Sequence, residues 1–177
     1  MDSRTALKPQ TKLYFYDKEG GKILFTIVRE IGRGSSCIVY EASHETTTGD
    51  RKLYRIKECY PYKLQIHREE NGRLIPDIED KKLFEDLQDK MRANFKTVNS
   101  LFYSDGVMGM FTDQMDIYCC NDTAYIVSAF SAEKTLATYK PVSIKECVML
   151  VKQVAYVIEK IHQQGFLYLD IKPNNIL

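Results

Sequence analysis

Between Leu13 and Tyr60 the chain alternates short apolar runs with polar turns, a pattern that predicts strands first. "LYFYDKEGGKILFTIVREIG" holds two such runs around the turn-rich stretch Asp17 to Gly21, and "SCIVYEASHETTTGDRKLYRIKECY" repeats the arrangement around "SHETTTGD". Together they predict a meander of about three strands. "NGRLIPDIED" breaks the pattern, after which "KKLFEDLQDKMRANFKTVNSLF" takes up helical spacing through Leu83, Leu87, Met91, Asn94, Val98 and Leu101. One amphipathic helix is predicted there, ending near Ser104 to Gly106. "QMDIYCCNDTAYIVSAF" adds two strand-like runs around Asn121-Asp122, a dipeptide suited to a hairpin turn.

The second predicted helix has clear boundaries: Ser143 and Glu146 form a capping box, Lys160 and His162 fall in the last turn, and Gly165 supplies the stop. Ile144, Val148, Val151, Ala155 and Ile158 make one stripe, and Cys147, Leu150, Val154, Val157 and Ile161 another beside it. So wide an apolar face predicts a largely buried helix. The order is three strands, a helix, two strands, the link "SAEKTLATYKP", a helix and a loop, an α+β chain with a five-stranded antiparallel sheet. Residues 1–12 read as a tail, 13–130 as a first body and 131–177 as a second.

Composition narrows the class. A chain of 177 residues that is 44% hydrophobic and 11% aromatic is large enough for a single core. With 25 Lys+Arg against 24 Asp+Glu the charge is +1, so no broad basic face steers it toward nucleic acid or an anionic membrane. The first dozen residues hold no signal-peptide core, and "CVMLVKQVAYVI", interrupted by Lys152 and Gln153, is too short and polar to span a bilayer. Cys37, Cys59, Cys119, Cys120 and Cys147 are odd in number and lack CxxC spacing, which suits reduced thiols. A cytoplasmic chain is expected.

Three segments carry candidate chemistry. "IGRGSSCIVYEA" places Gly32 and Gly34 in a tight turn between strands, where glycines serve either an ordinary hairpin or the close approach of a backbone to phosphate oxygens. A dinucleotide loop is disfavoured, since that loop opens a helix and "CIVYEA" is strand-like. "LYRIKECY" puts Lys57 at the end of the next strand, either as a solvated edge residue or as a fixed positive charge for phosphates. In "YLDIKPNNIL" Asp170 can orient a hydroxyl, Lys172 can neutralise a transferring phosphoryl group, Asn175 can offer an amide oxygen to magnesium, and Pro173 stiffens the loop between them.

Taken in order, the three segments resemble the protein kinase family. "IGRGSSCIVY" is similar to its glycine-rich loop, "YRIK" to the strand bearing its phosphate-pairing lysine, and "YLDIKPNNIL" to its catalytic loop, over about Leu24 to Leu177. The resemblance implies a small sheet lobe with one helix, then the first helices and catalytic loop of an incomplete helical lobe, with ATP held between lobes. It implies that Ile31 and Val39 pack against adenine, Gly32 and Gly34 cover the phosphates, and Lys57 meets them. Ala129 to Ser131 become the hinge that bonds the adenine edge, with the small Ser128 just inside it. Asp170 becomes the catalytic base, Lys172 its assistant and Asn175 a magnesium ligand. The implied cofactors are ATP and Mg2+, and the implied partner is a protein substrate with a Ser or Thr hydroxyl. The insertion "ECYPYKLQIHREENGRLIPDIED" is similar to those of some bacterial members.

The chain also departs from the family. Cys37 replaces the third loop glycine, Arg55 stands where a small residue lies over adenine, and Tyr168-Leu169 precede Asp170 in place of His-Arg. Counting back from Val98 and Leu101, Asn94 falls where the family has the glutamate that pairs with the strand lysine. Residues 1–177 contain no Asp-Phe-Gly segment, so the sequence is expected to be an N-terminal fragment whose second helix exposes apolar surface where the remaining lobe packs. Alternatives to a Ser/Thr kinase are a pseudokinase that binds nucleotide without turnover and a small-molecule phosphotransferase of related fold.

Overall fold

β-Branched and aromatic residues dominate the first strands, and they zip into an antiparallel sheet because each turn between them is stereochemically specified. A computed structural model describes residues 2–46, 48–103, 114–130 and 135–176. The strands are β1 (Lys12–Tyr16), β2 (Lys22–Arg33), β3 (Cys37–Glu45), β4 (Arg51–Cys59), β5 (Ile66–Arg68), β6 (Leu74–Pro76), β7 (Gln114–Cys120) and β8 (Thr123–Ala129). The helices are α1 (Lys81–Phe102) and α2 (Ile144–Gln163), with a short 3-10 turn at Pro173–Asn175.

The main sheet has the order β1-β2-β3-β4-β8-β7, wholly antiparallel. It therefore carries six strands where five were expected. The extra one is β1, which the Asp17 turn separates cleanly from β2: the Asp17 carboxylate accepts from the amides of Glu19 and Gly21 at 2.9 and 2.6 Å. The Asn121-Asp122 turn joins β7 to β8 with both residues at positive φ, 51° and 59°, the mirror-image turn whose twist matches the strands. Inside the insertion after β4, β5 and β6 form a separate two-stranded ribbon. The Phe15 ring of β1 lies parallel to that of Tyr118 on β7, centroids 4.6 Å apart, so the sheet curls until its two edge strands meet.

One face of that curled sheet is the core. Leu13, Phe15, Phe25, Ile27, Ile38, Tyr40, Ala42, Ile56, Tyr125 and Val127 are buried there together with Leu7, Tyr60, Leu74 and Phe84. Residues 2–11 are not a tail: Arg4 and Leu7 are both buried, and Gln10 and Thr11 exchange backbone bonds with Ile27 at 2.8 and 2.9 Å. Their polar composition hid this, because the anchoring depends on hydrogen bonds that no apolar periodicity reports.

Helix α1 has the expected span, while its predicted end at Ser104 to Gly106 lies outside the described residues. Its buried face follows the expected stripe only in part. Phe84, Gln88 and Phe95 are buried, whereas Leu83 and Asn94 are exposed; of the rest of that stripe Leu101 is buried and Leu87, Met91 and Val98 are half-buried. The chain divides into two units, residues 1–97 with 113–130 and residues 98–112 with 131–177. In the second, Ser143 caps α2 by accepting from the Glu146 amide at 3.2 Å, and Glu146 accepts from the Val142 amide at 2.6 Å, one residue before the expected capping-box partner. Gly165, at φ +81°, ends the helix with its amide bonded to the His162 carbonyl at 2.9 Å. The expectation that α2 is largely buried does not hold: of its residues Ile161 alone is buried, and Ile144 and Val151 are 85% and 68% exposed. The apolar surface expected of it is present.

Candidate functional site

In the first unit the strand register sets Gly32, Val39 and Lys57 side by side across three strands. Val39 pairs with Gly32 on one side and Lys57 on the other, and Lys57 pairs in turn with Ile126. Arg55 and Ser128 are register partners two positions along, and Cys37 pairs with Cys59 at the hairpin end. Because side chains on paired positions share a face and alternate along a strand, Val39, Arg55, Lys57, Ile126 and Ser128 all project from the face opposite Tyr40, Ile56 and Glu58. Ile31 lies in the irregularity between Glu30 and Gly32, half-buried. Ala129 ends β8 opposite Tyr54, and Ser131 lies outside the described residues.

The β2-β3 hairpin has a hydrogen-bond pattern that matters more than its glycine count. Gly34 donates to the Cys37 carbonyl at 2.9 Å, closing the turn. Three consecutive carbonyls then point at protein donors: Gly34 accepts from Arg4 Nη2 at 2.9 Å, Ser35 from the Tyr62 amide at 3.1 Å and Ser36 from the Tyr60 amide at 2.9 Å. None of the described residues accepts from the amides of Ser35 or Ser36. Neither Gly32 nor Gly34 has positive φ, and a Cβ at Gly32 would meet nothing within 4 Å. Neither backbone conformation nor crowding at Gly32 therefore demands a glycine there.

Lys57 is half-buried, and burial pushes its ammonium below the usual lysine range, with the Arg55 guanidinium adding to the effect and Cys37 opposing it. Among the described residues no carboxylate lies within ion-pair distance of it. Asn94 is exposed, and the polar residue that α1 buries is Gln88, whose Nε2 donates to the Asp122 carbonyl at 3.2 Å. Arg55 sits opposite Glu41, which approaches Arg29 at 2.5 Å. Ser128 is buried, its hydroxyl 3.4 Å from the Arg55 carbonyl.

In the second unit the three loop candidates form one hydrogen-bonded cluster. Lys172 Nζ is 2.8 Å from the Asp170 carboxylate, and Asn175 Nδ2 donates to Asp170 Oδ2 at 2.7 Å and to its carbonyl at 2.9 Å. The 3-10 turn begins at Pro173 and folds Asn175 back, its amide bonding the Lys172 carbonyl at 2.9 Å. The loop end is tied to the link after β8 by the Leu136 amide on the Ile176 carbonyl, 2.9 Å. The Lys172 hydrogen bond, then that of Asn175, holds the Asp170 carboxyl below the usual range, so it is an ionised acceptor at neutral pH. Since Asn175 spends its NH2 group on Asp170, its Oδ1 is left as a hard oxygen ligand, which fits magnesium. No cluster of three or more His, Cys, Asp or Glu ready to hold a metal unaided exists among the described residues.

Sequence reasoning missed the opposite face. Glu58, fully buried, accepts from Tyr40 at 2.8 Å and Tyr125 at 2.7 Å and pairs with Arg68 at 2.5 Å. An acidic residue at an inward position of "YRIKECY" was the available signal. Arg4, its side chain 4% exposed, gave none.

Comparison with known proteins follows the same lines. The protein kinase domain family matches over residues 25–177. Among solved structures, PpkA-294 in its apo form is similar at a TM-score of 0.72 and 20% identity, over 96% of this chain and 56% of that one. The BubR1 kinase domain follows at 0.64 and 17% over 99% and 45%, and vaccinia related kinase 3 at 0.55 and 19% over 98% and 47%. The chain thus spans about half the length of the structures it resembles. Among curated proteins none matches.

Proposed function

Because the chain belongs to the protein kinase family, we propose that the complete protein transfers the γ-phosphoryl group of ATP to Ser or Thr hydroxyls of protein substrates. The observation that carries this reading is the Asp170-Lys172-Asn175 cluster, in which the Lys172 ammonium and the Asn175 NH2 group both bond the ionised Asp170 carboxylate. Asp170 accepts the proton of the attacking hydroxyl and orients it, Lys172 offsets charge on the transferring group, and Asn175 Oδ1 would hold magnesium. Bound magnesium supplies neutralisation of the phosphate oxygens. The first unit supplies the nucleotide hold: the Ser35 and Ser36 amides and Lys57 take phosphates, while Ile31 and Val39 offer the apolar contact for adenine and the Ala129 backbone bonds its edge. Placement in the cytoplasm is part of the same reading, supported by five free cysteines.

The test incubates the complete protein and labelled ATP with mixed Ser, Thr and Tyr peptides, read by phosphoamino-acid analysis, and in parallel with small alcohols. Label in Ser and Thr supports the reading, whereas label in Tyr alone, or in small alcohols alone, overturns the substrate class. A nucleotide-binding module without turnover is the second reading, and Lys57 favours it, since no carboxylate among the described residues fixes its ammonium. Magnesium-dependent ATP binding with no label in any acceptor distinguishes that module.

A further inference from the structure

Residues 2–7 run as a strap behind the glycine-rich hairpin. Arg4 adds a side-chain bridge between two segments already joined by the Tyr60–Ser36 and Tyr62–Ser35 backbone bonds: its guanidinium donates to the Gly34 carbonyl at 2.9 Å and to the Tyr60 carbonyl just past the strand bearing Lys57. Asp2 orients that fork, its carboxylate 2.6 Å from Arg4 Nη2, and the Arg4 guanidinium lies 5.9 Å from the centroids of both the Tyr60 and Tyr62 rings. Arg33, on the hairpin's other arm, donates to the Arg4 carbonyl at 2.8 Å. Beyond Arg4 the strap is pinned to the buried network, with the Thr5 carbonyl accepting from Arg68 at 2.8 Å and the Leu7 amide donating to the Tyr40 hydroxyl at 3.1 Å.

From this geometry we propose that the strap, through Arg4, sets the position of the hairpin amides that receive the triphosphate, making Arg4 a positioning residue. The inference rests on the nucleotide-binding reading given above. An isolated two-strand turn of glycine and serine samples many backbone states, and each must be abandoned when an anion binds. Fixing the Gly34, Ser35 and Ser36 carbonyls from behind removes that cost beforehand and leaves the Ser35 and Ser36 donors on the other side. The Arg4 link is the one of the three that comes from a side chain, and so the one a substitution can remove while the backbone is kept.

The experiment uses the complete protein, unaltered and as Arg4→Gln and Arg4→Lys. Arg4→Lys retains the charge without the fork, which keeps the test alive should Arg4→Gln fold poorly. Amide hydrogen exchange over residues 32–37 reads the latch without nucleotide, and Kd values for magnesium-ATP and for adenosine read its consequence. The expected result is exchange about tenfold faster in the hairpin, a Kd for ATP about tenfold weaker, and adenosine binding changed by less than about twofold. Unchanged hairpin exchange overturns the latch. Equal weakening of ATP and adenosine reduces Arg4 to a structural residue and overturns its positioning role. If the unaltered protein binds neither ligand, the nucleotide reading itself falls and the triphosphate role with it, a result separable from the first two because the unaltered protein alone shows it.

Discussion

Lys57 carries a charge in a place that does nothing for folding. Half-buried and without a carboxylate partner among the described residues, its ammonium loses hydration and regains little, which is why its pKa is lowered. Lys57→Met is therefore expected to leave the melting midpoint unchanged or raised while ATP affinity collapses, as calorimetry and nucleotide titration would show together. The pH dependence has a definite sign. In the window between the lowered native pKa and the ordinary lysine value the unfolded chain binds more protons, so Lys57's contribution to stability rises with pH there. Affinity for ATP runs the other way, falling as Lys57 loses its proton, and Lys57→Arg holds it flat across the same window. Substitution at Glu58 should act on stability in the opposite sense to Lys57→Met, because Glu58 has partners: Glu58→Leu strands Arg68 and two hydroxyls and should cost about 3–5 kcal/mol in denaturant unfolding. The Asp170 cluster was legible in the sequence because its members lie within five residues of one another. The partners of Glu58 were not, since Tyr125 stands 67 residues away and a one-dimensional pattern says nothing of which inward positions meet.

Helix α1 shows how far periodicity reaches. Its span follows from the amphipathic run, yet the buried side is centred on Phe84, Gln88 and Phe95 instead of Leu83 and Asn94, because large aromatic rings outcompete a leucine for the core face. Phe84→Ala should cost about 3–5 kcal/mol and Leu83→Ala less than about 1, a contrast that urea unfolding would resolve. The hairpins were legible through Asn121-Asp122 and the Asp17 turn, where the side chains themselves dictate the bend. In α2 the capping residues marked the ends correctly, while the width of its apolar face pointed to burial that the described residues do not provide.

At the scale of the whole molecule, the proposed function divides between the two units. The sheet carries the amides and the lysine proposed to take phosphates, with its far face sealed by the strap and the Glu58 network. In the second unit Asp170, Lys172 and Asn175 form one hydrogen-bonded cluster, the proposed seat of transfer. The kinase fold was legible because its three motifs occur in order with the right elements between them, and each motif is local. The strap was not, being polar and dependent on contacts to residues 30 and 56 positions away. The most direct test of the account is the initial rate of γ-phosphoryl transfer by the complete protein and its Asp170→Asn variant at saturating magnesium-ATP. A loss of about 10²–10⁴-fold in kcat with nucleotide affinity retained is the expected outcome. Equal rates from the two proteins would contradict the role of Asp170 and, with it, phosphoryl transfer at this site.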